Sequence, residues 1–298
     1  MSNSNTSNIK KGTFGRWSGR SAQWYEAASA YTGYHDKLVE YISRYITESD
    51  KCAELACGAG TLARHIAPLV KSYAANDIDT GSIDFCTDMQ EAEPIEGLSY
   101  ELGDWRNVFN GRSFDVVFFS FFSAVLNDWD DLKKIAAKKV IAITPRYTEE
   151  EKAAKRKAVE QHKSDSHAGF LDSAGSHGDA DSHDGADSRD SAGSRTDAVT
   201  TMPGNIRKKD RSFETIETIS AFLEKRGIPY ESIALSLEFG QPCSTLEEAM
   251  EYTRYYYKFE TDEECHQFID EKFKPADCGY FYSKKKNINI TVIDMTKA

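Results

Sequence analysis

Between Glu54 and Thr61 the chain reads Glu-Leu-Ala-Cys-Gly-Ala-Gly-Thr: an acidic residue, then glycines at 58 and 60. Glycines at this spacing let the backbone turn sharply, and they let a ligand approach the main chain with no Cβ in the way. A helix expected to begin at Thr61 offers the free N–H groups of its first turn to the same ligand. The arrangement resembles a nucleotide-binding turn without the full G-x-G-x-x-G spacing, since Arg64 stands near the place of a third glycine. Two carboxylates, Asp77 and Asp104, close later apolar runs. Each is an acceptor-only group when ionised.

The elements that position these residues follow from hydrophobic periodicity. Lys51 to Ala56, Ser72 to Asp77, Leu98 to Gly103, Phe114 to Ser120 and Lys139 to Thr144 are short apolar runs that read as strands. Phe114 to Ser120 is apolar throughout, as expected of a parallel strand buried on both faces. Helical spacing separates them at Thr61 to Lys71, where Pro68 should shorten the helix. Further helices are expected at Ser82 to Met89 and Asp128 to Ala137. Ahead of the first strand, Ser21 to Ile46 carries a helical pattern broken at Thr32 and Gly33. Later elements are a helix over Ser212 to Arg226 capped by Ser212, a strand over Pro229 to Phe239, a helix from Ser244 with Glu247 completing a capping box, and a helix over Asp262 to Phe273. Tyr280 to Tyr282 followed by Asn287 to Met295 forms the seventh strand, with a bend or hairpin between the two parts. The alternation predicts an α/β fold, a Rossmann-like, seven-stranded, mostly parallel sheet with helices on both faces.

The run from Glu54 to Thr61 resembles motif I of the class I S-adenosylmethionine-dependent methyltransferases, commonly written E/D-x-G-x-G-x-G, with Ala56 in place of the first glycine. The resemblance implies an antiparallel seventh strand and S-adenosylmethionine as cofactor. It implies that Glu54 orders the loop and that the backbone of Ala56, Cys57, Gly58 and Gly60 lies against the methionine part. Asp77, with Ile78 beside it, stands where the family's acidic residue accepts hydrogen bonds from both ribose hydroxyls. Asp79 is the nearby alternative, and Asp77 is preferred because it is closer to the strand end. Asp104 matches the family's Gly-Asp near the adenine amino group, and Trp105 is placed to pack on the adenine ring. Ser120 and Phe121 fall at motif IV, near the reactive methyl. The resemblance covers 21 to 144 well and 212 to 295 more loosely.

No motif names the methyl acceptor. The N/D-P-P-Y/F signature of many amino-group methyltransferases is absent at the fourth strand, which reads Phe-Ser-Phe-Phe-Ser instead. The aromatic N-terminal helices are expected to form a lid, with Tyr25 and Tyr31 as substrate-lining candidates and Tyr34 and His35 as catalytic candidates. Tyr255 and Tyr256, on the helix between strands six and seven, are further substrate-lining candidates. For each of these, ordinary packing is the competing explanation. The preferred expectation is a small-molecule acceptor. A protein or RNA methyltransferase is the alternative enzyme, and a non-catalytic cofactor-binding scaffold with a metal- or partner-binding loop is the alternative from another class.

Composition bounds these readings. With 298 residues and a formal net charge of −11, the chain repels a long polyanion on average, which argues against nucleic acid as partner. No apolar stretch approaches the length of a membrane span, and no signal-peptide core stands at the start, so a cytoplasmic location is expected. The six cysteines, none in a C-x-x-C pair, are expected to be reduced. Four segments result: a disordered tail over 1–20, the lid and cofactor half over 21–147, a low-complexity insertion over 148–210, and the second half of the same domain over 211–298. The insertion is rich in Ser, Asp, Gly and His and too poor in apolar residues to offset ordering entropy. Its histidines 162, 167, 177 and 183 match no closed metal site, and no metal is expected.

Overall fold

The computed structural model describes residues 19–149, 151 and 214–298. The expected low-complexity tract, with its four histidines, lies outside the described residues apart from its edges, and so does the expected tail up to residue 18, whereas Gly19 and Arg20, assigned to that tail, already belong to the first helix. The described residues from 19 to 146 and from 214 to 298 form one compact unit. Every element below belongs to it.

Two helices open the chain: α1 (Gly19–Thr32) and α2 (Tyr34–Ile42), separated at Gly33, whose φ of +61° is left-handed. The cofactor half then alternates β1 (Lys51–Leu55), α3 (Thr61–Ile66), β2 (Ser72–Asp77), α4 (Thr80–Ala92), β3 (Leu98–Leu102), α5 (Trp105–Val108), β4 (Phe114–Ser120), α6 (Trp129–Ile135) and β5 (Ala136–Pro145). Pro68 ends α3 early, and the chain passes into a single 3-10 turn over Ala67–Leu69. After the undescribed stretch come α7 (Ile216–Glu224), β6 (Tyr230–Glu238), β7 (Gln241–Cys243), α8 (Leu246–Tyr256), α9 (Asp262–Lys272), β8 (Lys274–Ala276), β9 (Gly279–Tyr282) and β10 (Lys285–Asp294).

The main sheet has seven strands in the order β3-β2-β1-β4-β5-β10-β6. β10 runs antiparallel to both neighbours, while β1 to β5 are mutually parallel. Strand order reverses between β1 and β4, and ligands of open α/β sheets bind at such a switch point, outside the carboxyl ends. The period of two sorts the core. Val116 and Phe118 of β4 face one layer with Leu38, Ile42, Leu62 and Ile66, while Val117 and Phe119 face the other with Phe109, Leu132, Ile219 and Leu223. Ile288 and Ile290 of β10 belong to the first layer.

Several expectations are corrected. Tyr280–Tyr282 is no part of the seventh strand: it is the centre of a separate three-stranded sheet, β7-β9-β8, which packs with α8 and α9 around Cys243, Ala249, Cys265, Phe268 and Ile269. Ser212 does not cap α7. Thr215 does, in a reciprocal box with Thr218, and Glu214 is buried instead, accepting the Leu126 N–H at 2.7 Å. The cap of α8 is Thr245, whose hydroxyl accepts from the Glu248 N–H. Both helices start later than expected because threonine, one or three residues on, supplies the same oxygen in the extended conformation a cap requires.

Gly240 joins β6 to β7. A Cβ built there would meet the Phe281 ring at 2.3 Å and the Tyr282 carbonyl oxygen at 2.6 Å. Because backbone is one of the two obstacles, Gly240→Ala should destabilise the fold by about 1–3 kcal/mol, the usual cost of overpacking. Chemical denaturation of both proteins checks this; equal midpoints would show that the junction has room to move.

Candidate active site

The loop after β1 is tied to β2 through one carboxylate. The Gly58 N–H donates to Asp77 Oδ2 at 2.8 Å, and the Asp79 N–H donates to Asp77 Oδ1 at 2.9 Å. Cys57, buried, continues the tie through its N–H to the Asn76 carbonyl at 2.9 Å. Asp77 therefore orders the glycine loop as well as ending β2, and its remaining lone pairs are what it can offer a ligand. Asp79 is committed elsewhere: its side chain caps α4, accepting from the N–H and hydroxyl of Ser82.

Gly58 and Gly60 adopt φ of +55° and +67°, and so does Ala56, at +55°. Ala56 stands at the first glycine position of the motif, and its conformation explains why glycine suits that position: an L-residue there is strained. Gly60 is needed for a different reason from the one expected. A Cβ on it would meet Cys86 Sγ at 2.7 Å and the Tyr100 ring at 2.9 Å, so its missing side chain is filled by α4 and β3 rather than by a ligand.

Glu54 is 2 % exposed and accepts from the Tyr73 hydroxyl at 3.2 Å. Burial pushes its carboxyl up to about 8, and the nearby Asp77 adds to the rise. Among the described residues no cation lies within ion-pair distance of it. The loop is thus backed by two carboxylates, one buried and short of counter-charge. A nucleoside carrying a sulfonium and an ammonium fits this donor-poor, cation-seeking site. Large apolar side chains are exposed at neighbouring strand ends: Ile78 after β2, Leu102 on β3 and Phe121 after β4, 54 %, 50 % and 45 % exposed. Leu102 was not anticipated from sequence, because a leucine at a strand end looks like any core residue until its exposure is seen.

Asp104 caps α5 and is held by Arg106, which donates from its N–H and Nε to Oδ1 and from Nη2 to Oδ2. Arg106 also reaches Asp128 at 3.1 Å. The Trp105 ring is 5 % exposed and sits in the second core layer with Ala74 and Phe109, so core packing occupies the side chain expected on an adenine ring. Ser120 ends β4 in register with Ile143, and Phe121 follows with a left-handed φ of +56°.

Helix α1 roofs the glycine loop. Glu26 accepts from the Thr61 hydroxyl and pairs with Arg64, joining α1 to the first turn of α3. Tyr25 and Tyr34 meet at a shared neighbour, Phe239, with ring centroids 4.8 and 4.9 Å away. The Lys286 ammonium lies 3.4 Å from the Phe239 ring centroid, 4.6 Å from Tyr25, 5.1 Å from Tyr34 and 5.2 Å from Phe121. The four rings enclose it as an aromatic box beside the end of β4. His35 is 3 % exposed, with Nδ1 2.6 Å from the Ser29 hydroxyl, and burial among His65, Lys286 and Arg64 holds it well below its ordinary range.

The remaining aromatic candidates do not join this box. The Tyr31 hydroxyl donates to Asp277 at 2.5 Å, and Tyr255 and Tyr256 pack on Trp24 with centroids 5.2 and 6.2 Å away. They fasten α1 to α8 and the small sheet, with Arg20 gripping Glu251 through both carboxylate oxygens. Sequence spacing placed Tyr255 and Tyr256 on their helix correctly, but it carries no information on which partner that face meets.

Two substitutions test this geometry. Ala56→Gly should raise stability by about 1 kcal/mol, the left-handed penalty less glycine's extra chain entropy; a lowered melting temperature would show that the alanine is unstrained. Glu54 has its folded pKa raised from 4.5 to about 8, so it costs the empty fold stability as pH rises through that window. Glu54→Gln should flatten the decline, by an amount on the order of a few kcal/mol at the upper end. Parallel melting curves across that window would contradict the assignment.

Residues 53–146 match the family described as "Methyltransferase domain". Searches among curated proteins find no match. Similar solved structures include a putative methyltransferase from Bacillus halodurans C-125, at 13 % identity and TM-score 0.46 over 88 % of this chain and 99 % of that one. Magnesium protoporphyrin IX methyltransferase from Synechocystis PCC 6803, with bound SAH, is 12 % identical at TM-score 0.44 over 91 % and 85 %. A putative RNA methyltransferase from Pyrococcus horikoshii is 11 % identical at TM-score 0.44 over 88 % and 84 %. The matched segment begins in β1 and ends just after β5, taking in the glycine loop and the strand ends on both sides of the switch point, so it is this part of the chain that is similar to a methyltransferase domain.

Proposed function

We propose that the chain methylates a small molecule held under α1, with the cofactor seated along the carboxyl ends of β1, β2 and β3. The observation that carries this reading is the roof. α1 is fastened to α3 through Glu26 and to α8 and the small sheet through Arg20, Trp24 and Tyr31. Such a cover suits a compact acceptor better than a nucleic-acid duplex or a folded protein surface. The net charge of −11 points the same way. Among the described residues no helix is long and apolar enough to cross a membrane. All six cysteines are unpaired, in keeping with a reducing compartment such as the cytoplasm.

In this reading Glu54 and the backbone of Ala56 to Gly60 hold the methionine part, Asp77 accepts from the ribose, and Ile78 and Leu102 flank the adenine. Asp104, fixed by Arg106, sits at the adenine edge with the backbone of Trp105. Bound S-adenosylmethionine supplies a methyl on a sulfonium, already a strong leaving group. What the protein adds is alignment and exclusion of water. Ser120 and Phe121 form the floor between cofactor and acceptor, and Tyr25 and Tyr34 form the lid.

Incubation with methyl-labelled cofactor and a metabolite extract should transfer label to a small molecule, and label confined to macromolecules would overturn the choice of acceptor. Asp77→Ala should weaken cofactor binding by about 1–3 kcal/mol in calorimetry, through lost hydrogen bonds to a charged group. Unchanged affinity would remove Asp77 from the ribose site.

A further inference from the structure

Lys286 ends a run of three lysines, Lys284 to Lys286, in the stretch expected to form a bend or hairpin before the last strand. In the fold it pairs with Leu237 and shares a face of β10 with the buried Ile288 and Ile290, so its side chain is directed into the first core layer. Its ammonium ends among the rings of Tyr25, Tyr34, Phe121 and Phe239. Phe121, exposed just past the end of β4, puts this box beside the crevice at the switch point.

The geometry points to Lys286 as the proton acceptor for the methyl acceptor, and to that acceptor as a flat, apolar molecule with an acidic hydroxyl, of the phenol class. This rests on the methyltransferase reading above and assigns a residue and a substrate class within it.

Three observations carry the assignment. First, the surroundings are aromatic, which suits a planar acceptor and leaves the amine poorly hydrated. Burial, with Lys284 adding repulsion, brings Lys286 down to about 7, so a neutral amine is available near neutral pH. Secondly, Lys286 has no acid among its immediate neighbours, Tyr25 from α1, Tyr34 and His35 from α2 and Lys284 from the turn before β10; the acids behind them are Glu26, paired with Arg64, Asp36, 3.5 Å from His65, and the buried Glu54. Burial raises both tyrosines above their ordinary range, so they stay neutral. The rings hold Lys286 in place once it is protonated, and that ammonium is the group that stabilises a developing oxyanion beside it. Thirdly, the Tyr34 hydroxyl is buried without a hydrogen-bond partner, leaving one donor free for an acceptor oxygen.

The step balances with the groups present. The acceptor O–H proton passes to the Lys286 amine, giving an ammonium. The oxygen's electron pair forms the bond to the methyl carbon, and the carbon–sulfur bond breaks with its pair returning to sulfur, leaving a neutral thioether.

The probe is p-nitrophenol, colourless as the phenol and yellow as the phenolate, with the full-length protein and S-adenosylhomocysteine. At a pH where the free probe is colourless, binding should turn it yellow, its apparent pKa falling by about one unit or more beside a cation. Lys286→Met should abolish the colour, while Lys286→Arg should keep it, since a fixed cation still pairs with the phenolate. Calorimetry with S-adenosylmethionine separates the levels of the account. If wild type does not bind the cofactor, the methyltransferase reading itself fails. If wild type and Lys286→Met bind it equally and the colour is lost only in the latter, Lys286 faces the acceptor oxygen, and loss of methyl transfer in Lys286→Arg, which pairs but accepts no proton, then makes it the base. No colour in cofactor-binding wild type, colour that survives Lys286→Met, or a tenfold loss of cofactor affinity in that variant would each overturn the assignment, the last by making Lys286 a cofactor ligand. Should Lys286→Met fail to fold, colourless probe with folded Lys286→Arg would overturn it as well.

Discussion

The hydrogen bond from the Gly58 N–H to Asp77 Oδ2 is the constraint on which the site depends. It fastens the turn after β1 to the end of β2 and fixes the left-handed path through Ala56, Gly58 and Gly60. With the loop held there, α3 starts directly behind it, and its Thr61 and Arg64 are where α1 can be anchored through Glu26. The same carboxylate that shapes the loop is the one proposed to accept from the ribose. Order in the loop and capacity for ligand are therefore coupled, and both rest on a pair of carboxyls, Glu54 and Asp77, gathered at adjacent strand ends.

Keeping those carboxyls together has an electrostatic cost in the empty protein. Glu54 is desolvated beside another acid, so its proton is retained to unusually high pH. A cationic ligand relieves both problems at once. Away from the loop, Lys286 stands in its aromatic box with the buried His35 near it, while Arg64 stays with the glycine loop, paired to Glu26. In the proposed reading the carboxylates face the cofactor, and the aromatic box with Lys286 faces the acceptor.

Much of this was legible in the sequence because it is local. The glycine turn, the strand runs and the carboxylates that close them are all set by residues within a few positions of one another, and β1 to β5 appear where periodicity placed them. The break at Gly33 was equally plain. What was hidden depends on contacts between distant segments. Lys286 fell in the bend expected before the last strand and gave no signal of its own, since only the pairing of β10 with β6 sets which face it occupies. Tyr280–Tyr282 looked continuous with the last strand because nothing local says that β9 turns away to pair with β7 and β8. Arg106 gave no signal two residues after Asp104, and Trp105 could not be assigned to pocket or core without knowing what covers it. Caps at Thr215 and Thr245 were missed because a serine stood one or three residues earlier and would have served as well.

The most direct test of the central claim is a crystal structure of the complex with S-adenosylhomocysteine. The account predicts the ribose hydroxyls on Asp77, the amino-acid part along the Ala56–Gly60 backbone beside Glu54, and the sulfur facing Phe121. A nucleoside bound away from the β1–β4 switch point, or a loop that leaves Asp77 to open its hydrogen bond to Gly58, would contradict it.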